Sequence, residues 1–247
     1  RLMYATQGVL YEDEDVQLGI KSEYHGYQGR VVIYTGNQTG EVLGSFALTV
    51  HSVRQLKATS VQSSPNIIQP FAQAPHLLNL ECHELFTDSP IVHITYTKGN
   101  TSHSGNGQGV PLKKSVSLYV RLPVGPSKFI EPFMMNAPDF FARWRQVQGG
   151  KRESQAIFKS EEPYQADVVK RVLQGLGLAL LPKVDPNENN LVGVGIFVTN
   201  TEKVGCLVRL EPSVEHQMYR LTVRTTNEGL GEPLRNVIQQ LISTVKA

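Results

Sequence analysis

The sequence predicts an α+β protein, with an immunoglobulin-like β-sandwich first and a mixed α/β platform second. Three observations carry that reading. Between Val16 and Leu122, apolar residues recur at every second position in short runs separated by turn residues, the pattern of strands half-buried in a sandwich. After about Phe129 helical spacing appears and alternates with strand-like runs. A chain of 247 residues, 40% hydrophobic and 19% charged, is long and apolar enough to bury one large domain or two modest ones. The division is expected at residues 1–129 for a linker remnant and the sandwich, and 130–247 for the platform.

Residues 1–12 lack a strong period and read as a linker. Val16, Leu18 and Ile20 share one face of a strand, with Gln17, Gly19 and Lys21 on the other. Val31 and Ile33 belong to a strand that ends at the turn cluster Thr35-Gly36-Asn37, and Leu43 to Val53 forms the next. Ile67 to Cys82 is broken by Pro70 and Pro75, so it reads as an extended run with a strand at Leu77–Cys82. Val92, Ile94 and Tyr96 alternate, as do Val116, Leu118, Val120 and Leu122. Between them Gly99–Gly109, rich in glycine and serine, reads as a flexible loop. The Cys…Trp…Cys spacing of antibody domains is absent.

In the second half, Pro138 to Arg145 forms a helix that holds the only tryptophan, with Asn136 as its cap and Pro138 in its first turn. Phe140, Phe141 and Trp144 lie three or four positions apart, so their rings cluster, with Arg143 and Arg145 between them. Rings that exclude water beside guanidinium groups make a recognition surface; the competing reading is a helix that only packs under a sheet. Glu153–Lys159 reads as a turn or two of helix, and Ala166–Leu176 as a helix closed by Gly177. Leu178–Leu181, Leu191–Val198, Cys206–Glu211 and Met218–Thr225 read as strands, and Gly231–Lys246 as a final amphipathic helix. If the two strands flanking Pro212 pair, parity gathers Arg209, Glu211, Arg220 and Arg224 on one surface. Ordinary solvated ion pairs are the alternative there.

The formal charge of +2, without a long Lys/Arg run, argues against a nucleic-acid or membrane-surface protein. No apolar run approaches the roughly 18 residues of a membrane span. The chain opens on Arg1 without a signal-peptide pattern, as an excised domain of a longer protein would. Cys82 and Cys206 stand apart with no Cys-x-x-Cys pair, which points to a reducing, cytosolic compartment. Asn37-Gln38-Thr39 and Asn100-Thr101-Ser102 match a glycosylation sequon, a triplet that also arises by chance. In Glu81-Cys82-His83-Glu84 strand alternation sends Cys82 and His83 to opposite faces, so no metal site is expected. Gly105-Asn106-Gly107-Gln108-Gly109 lacks the lysine of a phosphate loop, and Gly193-Val194-Gly195 lacks the third glycine of a dinucleotide fingerprint. No nucleophile elbow or zinc helix occurs, so neither an enzyme nor a cofactor is expected.

Several stretches, taken in order, resemble the appendage (ear) of alpha-adaptin, the large subunit of the endocytic clathrin adaptor complex. They are Leu18-Gly19-Ile20-Lys21-Ser22-Glu23, Asn79-Leu80-Glu81-Cys82, Asp139-Phe140-Phe141-Ala142-Arg143-Trp144, Val184-Asp185-Pro186-Asn187, Gly205 to Pro212 and Gln217 to Thr225. The resemblance covers about residues 9–245. It implies a non-enzymatic hub, cytoplasmic and peripheral at clathrin-coated pits of the plasma membrane, joined to the rest of its adaptor complex through an N-terminal linker. Its partners would be short motifs in disordered endocytic accessory proteins, and it would take no cofactor, bind no nucleic acid and insert no segment into the membrane.

Carried over residue by residue, Phe140, Phe141 and Trp144 would form a platform pocket, with Glu153, Arg209, Glu211, Arg220 and Arg224 around it, for Asp-Pro-Phe, Asp-Pro-Trp and Phe-x-Asp-x-Phe segments. A second site on the sandwich, at Gly19, Lys21, Tyr34, Gly36 and Gln73, would take Trp-x-x-Phe segments. The family has phenylalanine where this chain has Tyr34, and the segments at Ser60–Pro70 and Gly99–Pro111 are longer here. An appendage of another adaptor or coat complex, or an enzyme domain using the cleft between the halves, are the other readings.

Overall fold

A computed structural model describes residues 1–100 and 112–245. Strands β1 (Gln7–Glu12), β2 (Val16–His25), β3 (Gln28–Asn37), β4 (Leu43–His51), β5 (Leu56–Gln62), β6 (Gln73–Cys82), β7 (Ile91–Asn100) and β8 (Leu112–Arg121) make the first half. They form a five-stranded antiparallel sheet, β1-β2-β3-β6-β5, and a three-stranded one, β4-β7-β8. Alternation dictates the packing: Leu18, Ile33 and Leu80 on one sheet and Phe46, Ile94 and Val120 on the other all turn inward and are buried. Of the expected loop at Gly99–Gly109, Gly99 and Asn100 belong to β7; residues 101–109, with the glycine run at 105–109, lie outside the described residues.

Two expectations are corrected here, and one strand is added. Gln7–Glu12 is an edge strand rather than linker; it pairs with β2, and its side chains stay mostly exposed, so it carries no hydrophobic period. The β5 strand escapes the same test, since Leu56 is its only buried residue. The last correction in this half is that β6 begins at Gln73, before Leu77. Pro75 sits opposite Tyr34 of β3, but β5 pairs only as far as Leu77, so the missing N–H of Pro75 forfeits no ladder bond.

The second half contains β9 (Ile130–Pro132), α1 (Ala137–Gln146), β10 (Glu153–Lys159), α2 (Ala166–Gly175), β11 (Ala179–Leu180), β12 (Leu191–Val198), β13 (Lys203–Ser213), β14 (Met218–Thr225) and α3 (Gly231–Thr244). Its six strands make one antiparallel sheet in the order β10-β14-β13-β12-β11, with β9 also on β12. The Glu153–Lys159 stretch expected as helix is the edge strand β10, since Phe158 points into the core while Ile157 points out, a period of two. The α2 helix ends where expected. Gly177 adopts φ +82°, and the Leu178 N–H reaches back to the Leu173 carbonyl at 3.2 Å, a Schellman closure.

The two faces of this sheet carry different layers. Leu210, Leu221 and Val223 pack with Val172 and Leu173 of α2 and Leu234, Ile238 and Ile242 of α3. The opposite face buries Val192, Val194 and Leu207 under α1. The halves meet at Phe129, whose ring meets Tyr24 edge-on at 5.4 Å and Phe86 at 5.9 Å, so one core runs through both. The Gly26 N–H donates to Glu131 Oε1 at 2.8 Å and the Asn200 N–H to the Cys82 carbonyl at 2.9 Å across the same junction. The buried Lys128 ammonium donates to the Ala5 carbonyl at 2.8 Å, tying the N-terminal segment to the junction. Burial pushes that ammonium down to about 8.

Candidate peptide-binding surfaces

The platform surface begins with α1. Asn136 caps it, its side-chain oxygen accepting the Asp139 N–H at 2.8 Å, which fixes where the helix starts and so which face its rings take. Phe140 points at the sheet and is 1% exposed. It therefore forms no wall open to a ligand but anchors α1, and Trp144 stacks on it with ring centroids 5.4 Å apart. Phe141 turns outward, 41% exposed, and Trp144 is half-buried.

Arg224 grips Trp144 from the other side. Its guanidinium carbon lies 4.1 Å from the Trp144 ring centroid, and its Nη1 donates to the Trp144 carbonyl at 2.6 Å, satisfying a last-turn acceptor that the helix leaves free. Its Nε donates to Glu153 Oε2 at 2.8 Å. Burial alone would raise the Glu153 carboxyl, but bonds from the Gly149 N–H, the Gln155 amide and Arg224 outweigh it and hold Glu153 below the usual carboxylate range. Arg224 is only 7% exposed, so it positions Trp144 rather than waiting for a ligand.

Beyond α1 the sheet lies open. Register puts Arg209 beside Thr222, and Glu211 beside Arg220, which in turn stands beside Ile157 on β10. Arg209 is aimed by Asp185, to which its Nε donates at 2.9 Å and its Nη2 at 2.7 Å; Glu211 Oε1 lies 3.4 Å from the same Nη2. Burial would raise Asp185 too, yet the Asn187 N–H, Arg209 and Asn190 keep it below the usual range. Arg220 is exposed and has no ion-pair partner among the described residues. A cavity of about 320 Å³ between Ile157, Asn187, Glu211 and Arg220 ends the row.

The structure places the eight expected platform residues on α1 and on one face of the sheet: Phe140, Phe141, Trp144, Glu153 and Arg224 in one linked group, and Arg209, Glu211 and Arg220 in a neighbouring row. It adds two that sequence reasoning missed: Asp185, which aims Arg209, and Ile157, 68% exposed beside Arg220 on the same face. The alternation of β10 was the signal for Ile157. Only the fold reveals Asp185, because the pairing spans 24 positions.

The sandwich residues also converge, on the outer face of the five-stranded sheet. Gly36 pairs with Gln17 and with Gln73, and Tyr34 with Gly19 and with Pro75. Lys21 follows Gly19 on the same face, exposed. A Cβ added at Gly19 would sit 3.8 Å from Tyr34 Cβ, so glycine leaves the side of that ring open.

Cys82 and Cys206 are free and buried, and burial pushes both thiols up to about 12. Among the described residues no group of three His, Cys, Asp or Glu converges to hold a metal, and no helix is long and apolar enough to cross a membrane.

Two family models divide the chain between them. "Adaptin C-terminal domain" matches residues 6–111, and "Alpha adaptin AP2, C-terminal domain" matches residues 128–242. The AP-2 complex subunit alpha-2 of Dictyostelium discoideum is 36% identical over 242 residues, covering 96% of this chain and 23% of the relative. The AP-2 complex subunit alpha of Schizosaccharomyces pombe is 29% identical over 252 residues, covering 98% and 26%. An Arabidopsis thaliana AP-2 complex subunit alpha-1 is 28% identical over 240 residues, covering 96% and 22%. The chain spans about a quarter of the length of these curated relatives. Two yeast GAE domains of known structure, from GGA1 and GGA2p, overlap it at TM-scores of 0.33 and 0.36. They share 14% and 8% identity, cover 45% and 49% of this chain and 96% and 99% of their own, and bear on no functional argument.

Proposed function

The chain belongs to the alpha-adaptin C-terminal appendage family, and from that membership we propose that it recruits endocytic accessory proteins to a clathrin adaptor by binding their short linear motifs. The observation that carries the proposal is the platform groove. A tryptophan locked between Phe140 and Arg224 stands at one end of an open sheet that displays Arg209, Glu211 and Arg220.

A motif aromatic of an Asp-Pro-Phe, Asp-Pro-Trp or Phe-x-Asp-x-Phe segment packs against Trp144 and Phe141, where its ring leaves water. The motif aspartate or its backbone carbonyls meet Arg209 and Arg220 in charge-assisted bonds. Arg224 and Glu153 hold the tryptophan and take no ligand. On the sandwich, a Trp-x-x-Phe segment lies across Gly19, Tyr34, Gly36 and Gln73, with Lys21 meeting its acidic groups.

Each motif binds weakly, because a disordered segment is ordered on binding. Several motifs on one partner, meeting two surfaces and several adaptors, supply avidity. The chain acts without catalysis or cofactor, in the cytoplasm at coated pits of the plasma membrane, tethered to its complex from its N-terminal side. The relatives carry the name of AP-2 alpha subunits, which favours this reading over an appendage of another coat.

Isothermal titration with a synthetic Phe-x-Asp-x-Phe peptide tests it. Wild type should show saturable binding that Trp144→Ala removes while keeping its fold. No saturable binding to well-folded wild type would refute the platform assignment.

A further inference from the structure

Phe71 is in the wrong place for folding. It occupies the third position of the turn Gln69-Pro70-Phe71-Ala72, closed by the Ala72 N–H on the Gln69 carbonyl at 3.1 Å. Proline suits the second position of such a turn, and the third wants a positive φ, which glycine supplies without strain. Phe71 holds φ +57° there, and its side chain is 75% exposed. Both the backbone and the ring are therefore less stable than a glycine would be.

The turn is nonetheless over-determined. Asn37, 3% exposed, donates its side-chain amide to the carbonyls of Glu41 at 2.8 Å, Gln69 at 3.0 Å and Ile68 at 3.2 Å, and its backbone N–H to the Ala72 carbonyl at 2.9 Å. The Phe71 ring rests beside Gly40, where an added Cβ would touch it at 3.9 Å. Two residues further on, Gln73 pairs with Gly36 and enters the outer face of the sheet, so the turn that carries Phe71 leads directly into the Gly36–Tyr34 row. Val42 and Ile67, both exposed, come from the two segments joined by the Leu43–Ile68 bridge beside it.

A strained, solvent-exposed aromatic held rigidly by a buried network is explained by something outside the fold. We propose that Phe71 extends the sandwich surface as an aromatic lip and receives an aromatic side chain of an extended peptide lying across Tyr34 and Gln73. The occupant is set by continuity: the lip adjoins a glycine-floored strip that admits an extended backbone, and offset or edge-on packing of two rings is what an exposed phenylalanine offers. This inference rests on the reading of the sandwich face as a peptide site.

Calorimetric titration with a synthetic Trp-x-x-Phe peptide, on wild type, Phe71→Gly and Tyr34→Ser, tests it. Phe71→Gly should melt at or above the wild-type temperature, since it relieves the turn. It should bind the Trp-x-x-Phe peptide roughly 3–10-fold more weakly, with Phe-x-Asp-x-Phe binding unchanged. Unchanged Trp-x-x-Phe affinity in Phe71→Gly, with binding lost in Tyr34→Ser, would overturn the lip and leave the sandwich site standing. Affinity unchanged in both variants, or no binding by folded wild type, would overturn the sandwich site and the lip together.

Discussion

The platform groove and the sandwich face pair an aromatic ring with cations, but they are built in opposite ways. On the platform, two of the proposed contact groups have holders: Phe140 and Arg224 fix Trp144, and Asp185 fixes Arg209. On the sandwich face, Tyr34 stands beside Gly19, which brings no side chain against it, and Lys21 has no ion-pair partner among the described residues. The lesson is that the platform fixes Trp144 and Arg209 through buried or half-buried partners, whereas the sandwich face offers open space. Substitutions should expose that difference.

The largest effect is expected where a holder is removed. Arg224→Met leaves the Glu153 carboxylate nearly buried without its cation and frees the Trp144 carbonyl, and should cost about 3 kcal/mol of stability in urea denaturation. Arg224→Lys should recover only part of it, because an ammonium cannot serve the carboxylate, the carbonyl and the ring face at once. A loss under about 1 kcal/mol would mean Arg224 positions nothing. Next comes the contact residue: Trp144→Ala should weaken Phe-x-Asp-x-Phe binding by about 2 kcal/mol, roughly 30-fold. Trp-x-x-Phe binding should stay as in wild type, and equal losses for both peptides would merge the two surfaces into one.

On the sandwich face the expected sign is reversed for stability. Gly19→Val puts a good strand former where glycine stood. It should keep or raise the melting temperature while weakening the Trp-x-x-Phe peptide roughly tenfold, about 1.4 kcal/mol, by filling the open side of Tyr34. Intact affinity would show that the space is unused.

The smallest effect is acid sensitivity. Glu153 and Asp185 are held below their ordinary values in the fold, so their contribution is complete above about pH 4, the unfolded carboxylate range, and is lost as pH falls through the lower folded-state values. Burial holds His76 low as well, so some stability is already lost as pH falls below about 6.5; below about pH 4 the melting temperature should fall less steeply in Glu153→Gln than in wild type. An identical slope in that variant would remove Glu153 from the account.

The same contrast explains what could be read from the sequence. Central strands that bury most of their residues announce themselves: Leu191–Val198 and Met218–Thr225 are found where their apolar runs put them, as are the Asn136 cap and the Gly177 stop. The edge strands β1 and β5 bury little, so backbone pairing holds them without leaving a hydrophobic pattern, and β10 passes for helix because only seven residues carry its alternation. Parity alone brought Arg209, Glu211, Arg220 and Arg224 to one surface. It could not separate the buried Arg224 from the exposed Arg220, since that depends on where α1 lies across the sheet. The strain at Phe71 is equally invisible in a chain of letters, because it needs a backbone angle.

The central claim, that the platform groove is a preformed peptide site, is tested most directly by amide NMR during titration of a Phe-x-Asp-x-Phe peptide. The account predicts shifts confined to α1, to β13 and β14 around Arg209 and Arg220, and to Ile157, with the Arg224 and Glu153 signals little moved because both are already bonded. Shifts centred on the sandwich or on the α2–α3 face, with α1 silent, would contradict it.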